Sequence, residues 1–312
     1  MTVKKDKIFS AIDNLQAELQ RNNIPVSGGT HYNSNVVIYK VPAVRHKNNI
    51  IKNITYNKVV GRVADRTFVI NERRLLEKSM EEKIIGLKNS GNGKVLVLLA
   101  PGPSTLEIPI EKLNNNNKID VMTINKPNKR LWPTKFWMFC DQSQYERNEE
   151  EFHKYNGVII NSMAVLARRS NQIIFKANYE HHFSFDVTKG INIGRSTTYA
   201  AMQMALWMGY NKIFILGIDM NKVRVVVDGH EKEVLYNYGT NPDVSDEERL
   251  SRFNDESNFY RLAARIIDEN TRKRFYFCSS YNPFEWLDLY NRVDHKVAVG
   301  MILDEASLLK DN

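Results

Sequence analysis

Cysteine is scarce in this chain: its 312 residues hold two, Cys140 and Cys278. Two cysteines cannot make a disulfide framework, and they suit a reducing, cytoplasmic setting. Proline is sparse at nine residues, and 42% apolar with 26% charged residues excludes a disordered chain. No apolar run approaches the roughly 18 residues of a membrane span, so none is expected. The opening residues, MTVKKDKIF, are basic but have no apolar stretch behind them, unlike a signal peptide. No Gly-Lys-Ser/Thr phosphate loop is present, and no GxGxxG follows the first buried strand. No His/Cys/Asp grouping has zinc spacing, and there is no DxD pair for a metal–diphosphate site.

Positive charge is present and unevenly placed. Residues 1–90 hold 16 Lys and Arg against 8 Asp and Glu, while residues 91–312 hold 28 of each. The net charge of +8 therefore belongs to the front part. Such asymmetry fits a polyanionic partner, nucleic acid being the commonest, or a solvated surface that favours lysine.

The front part reads as a small α+β domain. Ile8, Phe9, Ile12, Leu15 and Leu19 give residues 4–22 an amphipathic helical pattern. Residues 35–41, 56–63 and 66–70 read as strands, and 71–87 as a helix capped by Asn71. Asn89, Ser90, Gly91, Asn92 and Gly93 form the clearest linker, which divides a basic domain over 1–92 from a larger one over 93–312.

The larger domain changes character. KVLVLLA at 94–100 is an unbroken apolar run, as in a strand buried on both faces. Further short apolar strands are expected at 119–124, 135–140, 157–160, 212–216 and 274–278. Helices are expected at 196–208 and 258–270. Strands alternating with helices predict an α/β fold, a Rossmann-like doubly wound and mostly parallel sheet. Small or polar residues follow these strands: Gly102 and Ser104, Asn125, Asp141, Asn161, Asp219 and Asn282. Open parallel sheets bind ligands at the carboxyl ends of their strands, so these residues converge on one crevice, unless they are only turn formers. In the turn at 101–104, Gly102 allows close backbone approach, Pro103 stiffens the chain and Ser104 can present N–H groups to an anion. Gly194, Arg195, Ser196, Thr197 and Thr198 precede the helix at 196–208, a second start suited to phosphate or ribose. Ordinary N-capping needs only one of these hydroxyls.

KVLVLLAPGPSTLEIPIEKL (94–113), TIN (123–125), GRSTTYAAMQMALWMGYNKIFILGIDM (194–220) and RFYFCSSYN (274–282) together carry a resemblance. Over residues 94–285 the chain resembles the bacterial sialyltransferases that act on lipo-oligosaccharide, and the sialyltransferase-like proteins linked to surface and flagellin glycosylation. The resemblance implies a nucleotide-sugar-dependent glycosyltransferase that needs no metal or other cofactor. It implies a donor held by Gly102, Pro103, Ser104, Asn125, Asp141, Ser196 and Thr197, with Asp219 and Asn282 at neighbouring strand ends. A lid over about 220–256 would close on the donor, with Tyr236 and Tyr238 donating to the departing phosphate or packing the lid. Pro101 and Asp141 stand where that family commonly has Asn, which leaves open a uridine or other nucleotide in place of cytidine.

The family's general base is a histidine at the end of the lid. Asp255, in FNDES, occupies that place, so Asp255 or Glu256 is the expected base, with His230 the alternative. Asp255 can equally cap the helix expected from 258. His181 and His182 read as surface or packing residues. The expected acceptor is a glycan hydroxyl or, given the basic front part, a hydroxyl-bearing modified base in DNA. Homo-oligomer formation is left open. The rival readings are a pterin-type pyrophosphokinase using a nucleoside triphosphate and Mg2+, and a non-catalytic binding protein on the same fold.

Overall fold

The computed structural model of the chain describes residues 30–33, 36–39 and 80–309, apart from 115, 164, 166–168, 228 and 239–244. Two compact units divide it, one of Met1–Met80 with Leu166–Arg168 and the other of the remaining residues. In the first, β1 (Thr30–Asn33) and β2 (Val36–Tyr39) form an antiparallel hairpin, β2 falling within the strand expected at 35–41. The helix expected at 4–22 and the strands at 56–63 and 66–70 lie outside the described residues.

The second unit is built on eight strands. In chain order they are β3 (Val95–Leu99), β4 (Ile119–Ile124), β5 (Phe136–Phe139), β6 (Val158–Ser162) and β7 (Gln172–Phe175). Two short segments, β8 (Ala177–Asn178) and β9 (Ile191–Asn192), pair separately. Then come β10 (Lys212–Leu216), the hairpin β11 (Val223–Val227) and β12 (His230–Val234), β13 (Phe275–Cys278) and β14 (Asn291–Val293). The main sheet runs β14-β13-β10-β3-β4-β5-β6-β7 and every pairing in it is parallel. The chain starts in the middle at β3, winds out to β7, then returns beside β3 as β10 and winds the other way. This is a Rossmann-like doubly wound sheet, with its switch point between β3 and β10.

Both faces of the sheet are covered, which explains the unbroken apolar runs. Leu96 and Leu98 face one way with Met122, Ile213 and Ile215, against α3 (Thr197–Trp207) and α4 (Asp246–Ile266). Val95, Val97 and Leu99 face the other way with Phe214 and Leu216, against α6 (His295–Leu308) and the 3-10 turns between 103 and 113. Further helices are α1 (Gln142–Arg147), α2 (Glu149–Lys154) and α5 (Glu269–Arg272). Residues 197–205 of α3 are all buried, as its small and apolar residues on every side require. Among the described residues no helix is long and apolar enough to cross a membrane.

Three local readings change. The helix expected at 71–87 is present over its described part, 80–86, residues 71–79 lying outside the described residues, but 89–93 is a packed turn rather than an open linker. There Asn89 and Gly91 donate to Trp207 and Met208 carbonyls at the end of α3. The helix expected at 258–270 begins at Asp246, twelve residues earlier, with Ser245 as its cap. In its described residues, the lid expected over 220–256 is therefore a β-hairpin, a connector at 235–238 and the first half of α4.

Candidate functional site

A cavity of about 220 Å3 opens at the switch point. Its walls come from the ends of β3 (Ala100, Pro101, Gly102), β4 (Asn125), β5 (Asp141) and β10 (Gly217 to Met220), from the start of α3, and from α4. The eight residues Gly102, Asn125, Asp141, Ser196, Thr197, Asp219, Tyr236 and Tyr238 are thus brought together from six separate stretches of chain. Among the described residues, three of the four non-glycine residues with positive φ, Asn125 (60°), Arg195 (59°) and Met220 (49°), line this cavity. Backbone held in the left-handed region costs on the order of 1 kcal/mol or more at each such residue, and such strain gathers at binding sites.

The Gly-Pro-Ser turn plays a different part from the one expected. Gly102 has an ordinary φ of −67°. Its N–H donates to the Gly217 carbonyl at 2.8 Å, and a Cβ there would stand 2.3 Å from that carbonyl oxygen. The close approach that requires glycine is therefore between two strand ends, not toward a ligand. Ser104 donates its N–H to the Asp219 carboxylate at 2.7 Å, so the anion at this turn is an internal one. The other Asp219 oxygen accepts from Ser279 Oγ at 2.6 Å. Burial pushes the Asp219 carboxyl up, while these donors pull it down. Pro103 and Ser104 are buried beside the cavity rather than lining it. Asn282 also stands outside the lining, holding the turn after β13 by donating to the Ile218 carbonyl at 2.7 Å.

The start of α3 is open. Ser196 occupies the cap position but makes no capping bond, its Oγ instead lying 2.9 Å from Tyr260 Oη. An α-helix leaves its first N–H groups without intrahelical partners, and its amino end carries a partial positive charge. Ser196, Thr197 and Thr198 line the cavity at that end, beside Arg195. Arg147, Arg249 and Arg252 add three more guanidinium groups to the walls.

Helix α4 supplies the opposite wall. Arg249, Arg252, Phe253 and Glu256 all face the cavity, as the three- and four-residue spacing of one helix face dictates. Glu256 is 3% exposed and lies 2.7 Å from Arg249 Nη2. Burial pushes its carboxyl up to about 7, against the pull of Arg249. Arg249 also bonds Tyr236, whose hydroxyl burial pushes up. Tyr236 and Tyr238 are stacked, with ring centroids 5.1 Å apart and planes 3° from parallel. Lys126 Nζ sits 4.5 Å from the Tyr238 ring centroid. Between the tyrosines, Asn237 donates its N–H to the Pro101 carbonyl at 2.7 Å and its side-chain amide to Thr105 Oγ1 at 3.0 Å. The connector is thus tied to the Gly-Pro-Ser turn.

Of the three candidate bases, Asp255 and His230 lie outside the cavity walls and Glu256 lies in them. Asp255 is on the outer side of α4, paired with Arg195 at 2.7 Å, and is mid-helix rather than a cap. His230 is exposed at the start of β12, at the tip of the hairpin. Glu256, its neighbour in sequence to Asp255, is the one that faces inward. Arg249 and Arg252 were missed because only the helical spacing within 246–266 sets them on one wall, and Arg147 because only the fold brings the end of α1 to the cavity. His181 stacks on Phe259 at 5.0 Å and the His182 carbonyl accepts from Tyr199 Oη, both as packing residues. Among the described residues no three His, Cys, Asp or Glu side chains gather as a metal-ligand group.

Comparison of the chain with protein-family models, with curated proteins and with solved structures found no match to any of them.

Proposed function

We propose that the cavity binds a nucleotide sugar and that the chain is a glycosyltransferase moving the sugar to an acceptor hydroxyl without a metal. The observation that carries this reading is a pairing within one cavity. An uncapped helix start and four arginines suit a phosphate, and across from the helix start stands the buried Glu256 carboxyl, pushed up to about 7 as suits a general base. In this reading the donor phosphate sits at the amino end of α3, beside Arg195. Glu256 takes the proton from the acceptor hydroxyl, and the freed oxygen attacks the anomeric carbon as the bond to phosphate breaks. The arginines, with Tyr236 and Tyr238, stabilise the charge on the departing nucleotide. The acceptor is a glycan, or a hydroxyl-bearing base in DNA if the basic front part, residues 1–90, binds it.

A donor-hydrolysis screen with several nucleotide sugars, with and without EDTA, tests the proposal. Turnover that survives EDTA is expected. Turnover abolished by EDTA and seen only with a nucleoside triphosphate points instead to pyrophosphoryl transfer. No turnover with any donor leaves a binding protein.

A further inference from the structure

A second cluster of reactive side chains lies at the same edge of the sheet but outside the cavity walls. Three segments meet there: Glu107, after the Gly-Pro-Ser turn; Ser280, after β13; and His295, the first residue of α6. His295 is 1% exposed. Its Nε2 is 2.8 Å from a Glu107 carboxylate oxygen and its Nδ1 is 3.0 Å from Ser280 Oγ. Tyr281 Oη donates to the same Glu107 oxygen at 2.7 Å, and its ring lies against the imidazole at 5.0 Å. Asp294 stands 3.6 Å from Nδ1, its carboxylate engaged by the Lys296 N–H at 2.8 Å. Ser280 itself is exposed.

The hydrogen bond on one ring nitrogen fixes which nitrogen carries the proton in neutral histidine. The Glu107 carboxylate can only accept, so Nε2 is the N–H and Nδ1 keeps its lone pair. That lone pair faces the Ser280 hydroxyl. A serine next to a base that is oriented by a third group is the arrangement of an activated nucleophile. The ring nitrogens are used in the opposite sense from the common serine-hydrolase order, but the roles are the same.

We infer that Ser280 is a nucleophile activated by His295 and positioned through Glu107, able to attack carboxylic esters that reach the surface. Ser280 Oγ bonds to the ester carbonyl carbon and its proton passes to Nδ1. The bond to the leaving alcohol breaks, and the alcohol takes that proton. Water then attacks the acyl-serine and gives its proton to Nδ1, which returns it to Oγ as the acid leaves. The proposal does not depend on the nucleotide-sugar reading.

The test treats the full chain with a fluorophosphonate probe and locates the label by mass spectrometry. Labelling at Ser280 is expected, lost in Ser280→Ala and slowed about 100-fold in His295→Gln, the scale of a lost general base. Since His295 is buried, Glu107→Gln gives a milder variant, expected to slow labelling at least about tenfold, with Glu107→Asp recovering much of the rate. A merely structural role for Glu107 would not distinguish those two. No label at Ser280, or the same rate in His295→Gln and Glu107→Gln as in the unaltered chain, overturns the proposal.

Discussion

Replacing Glu256 with Gln is expected to lower transfer by about 100-fold or more while leaving donor affinity within a few fold. The glutamine keeps the volume but cannot take a proton, and general-base catalysis contributes roughly 10²–10⁴-fold. Steady-state rates with saturating donor check this. The pH profile gives a second reading. A base must be ionised to act, so the rate of the unaltered enzyme should rise through about pH 7 and then level. In Glu256→Gln that rise should vanish. Stability moves the other way. The folded chain holds this proton to about pH 7, whereas the unfolded chain releases it near 4.5. Between those values the unfolded state binds fewer protons, so this group's contribution to stability falls as pH rises. A rate profile identical in Glu256→Gln would remove the residue from the chemistry.

Asp219→Ala is the second large effect, and it falls on the frame of the site. The carboxylate takes Ser104 N–H and Ser279 Oγ–H, linking the ends of β3, β10 and β13. Alanine leaves two donors unpaired in a site where Asp219 is 1% exposed. Each such loss costs about 1–3 kcal/mol, so destabilisation of about 3 kcal/mol or more is expected. For a unit of this size that is a fall in Tm of about 6–12 °C in thermal unfolding. A change of less than about 2 °C would mean the carboxylate is not what joins the three strand ends.

The core sheet was legible because its strands are buried on both faces. KVLVLLA at 94–100, IDVMTI at 119–124 and KIFIL at 212–216 have no polar alternation to confuse the reading. The polar residues after those strands pointed to the right edge of the sheet. Their individual parts were not legible: Ser104 and Asn282 bond neighbouring turns, while Gly102 makes room for Gly217. Such pairings depend on strand order, which one chain's periodicity does not contain. The first half of α4 was hidden for a different reason. Its inward face between 249 and 256 is Arg, Arg, Phe and Glu, because it faces a polar cavity instead of the core. A search for apolar periodicity passes over such a helix. Once the helix is seen to start at 246, Asp255 turns outward and Glu256 inward, and the choice between the two expected carboxylates falls on Glu256. The C-terminal α6 and the edge strands β7 and β14 gave too short or too mixed a pattern to stand out.

Calorimetric titration with a panel of nucleoside mono- and diphosphates tests the nucleotide site most directly. Asn125 is the residue to vary, because it lines the cavity with a φ of 60° and its buried Oδ1 has no hydrogen-bond partner among the described residues. At least one nucleotide should bind, and Asn125→Ala should weaken that binding about tenfold, the scale of one lost hydrogen bond. No binding by any member of the panel, or undiminished binding in Asn125→Ala, would contradict the assignment of this cavity to a nucleotide donor.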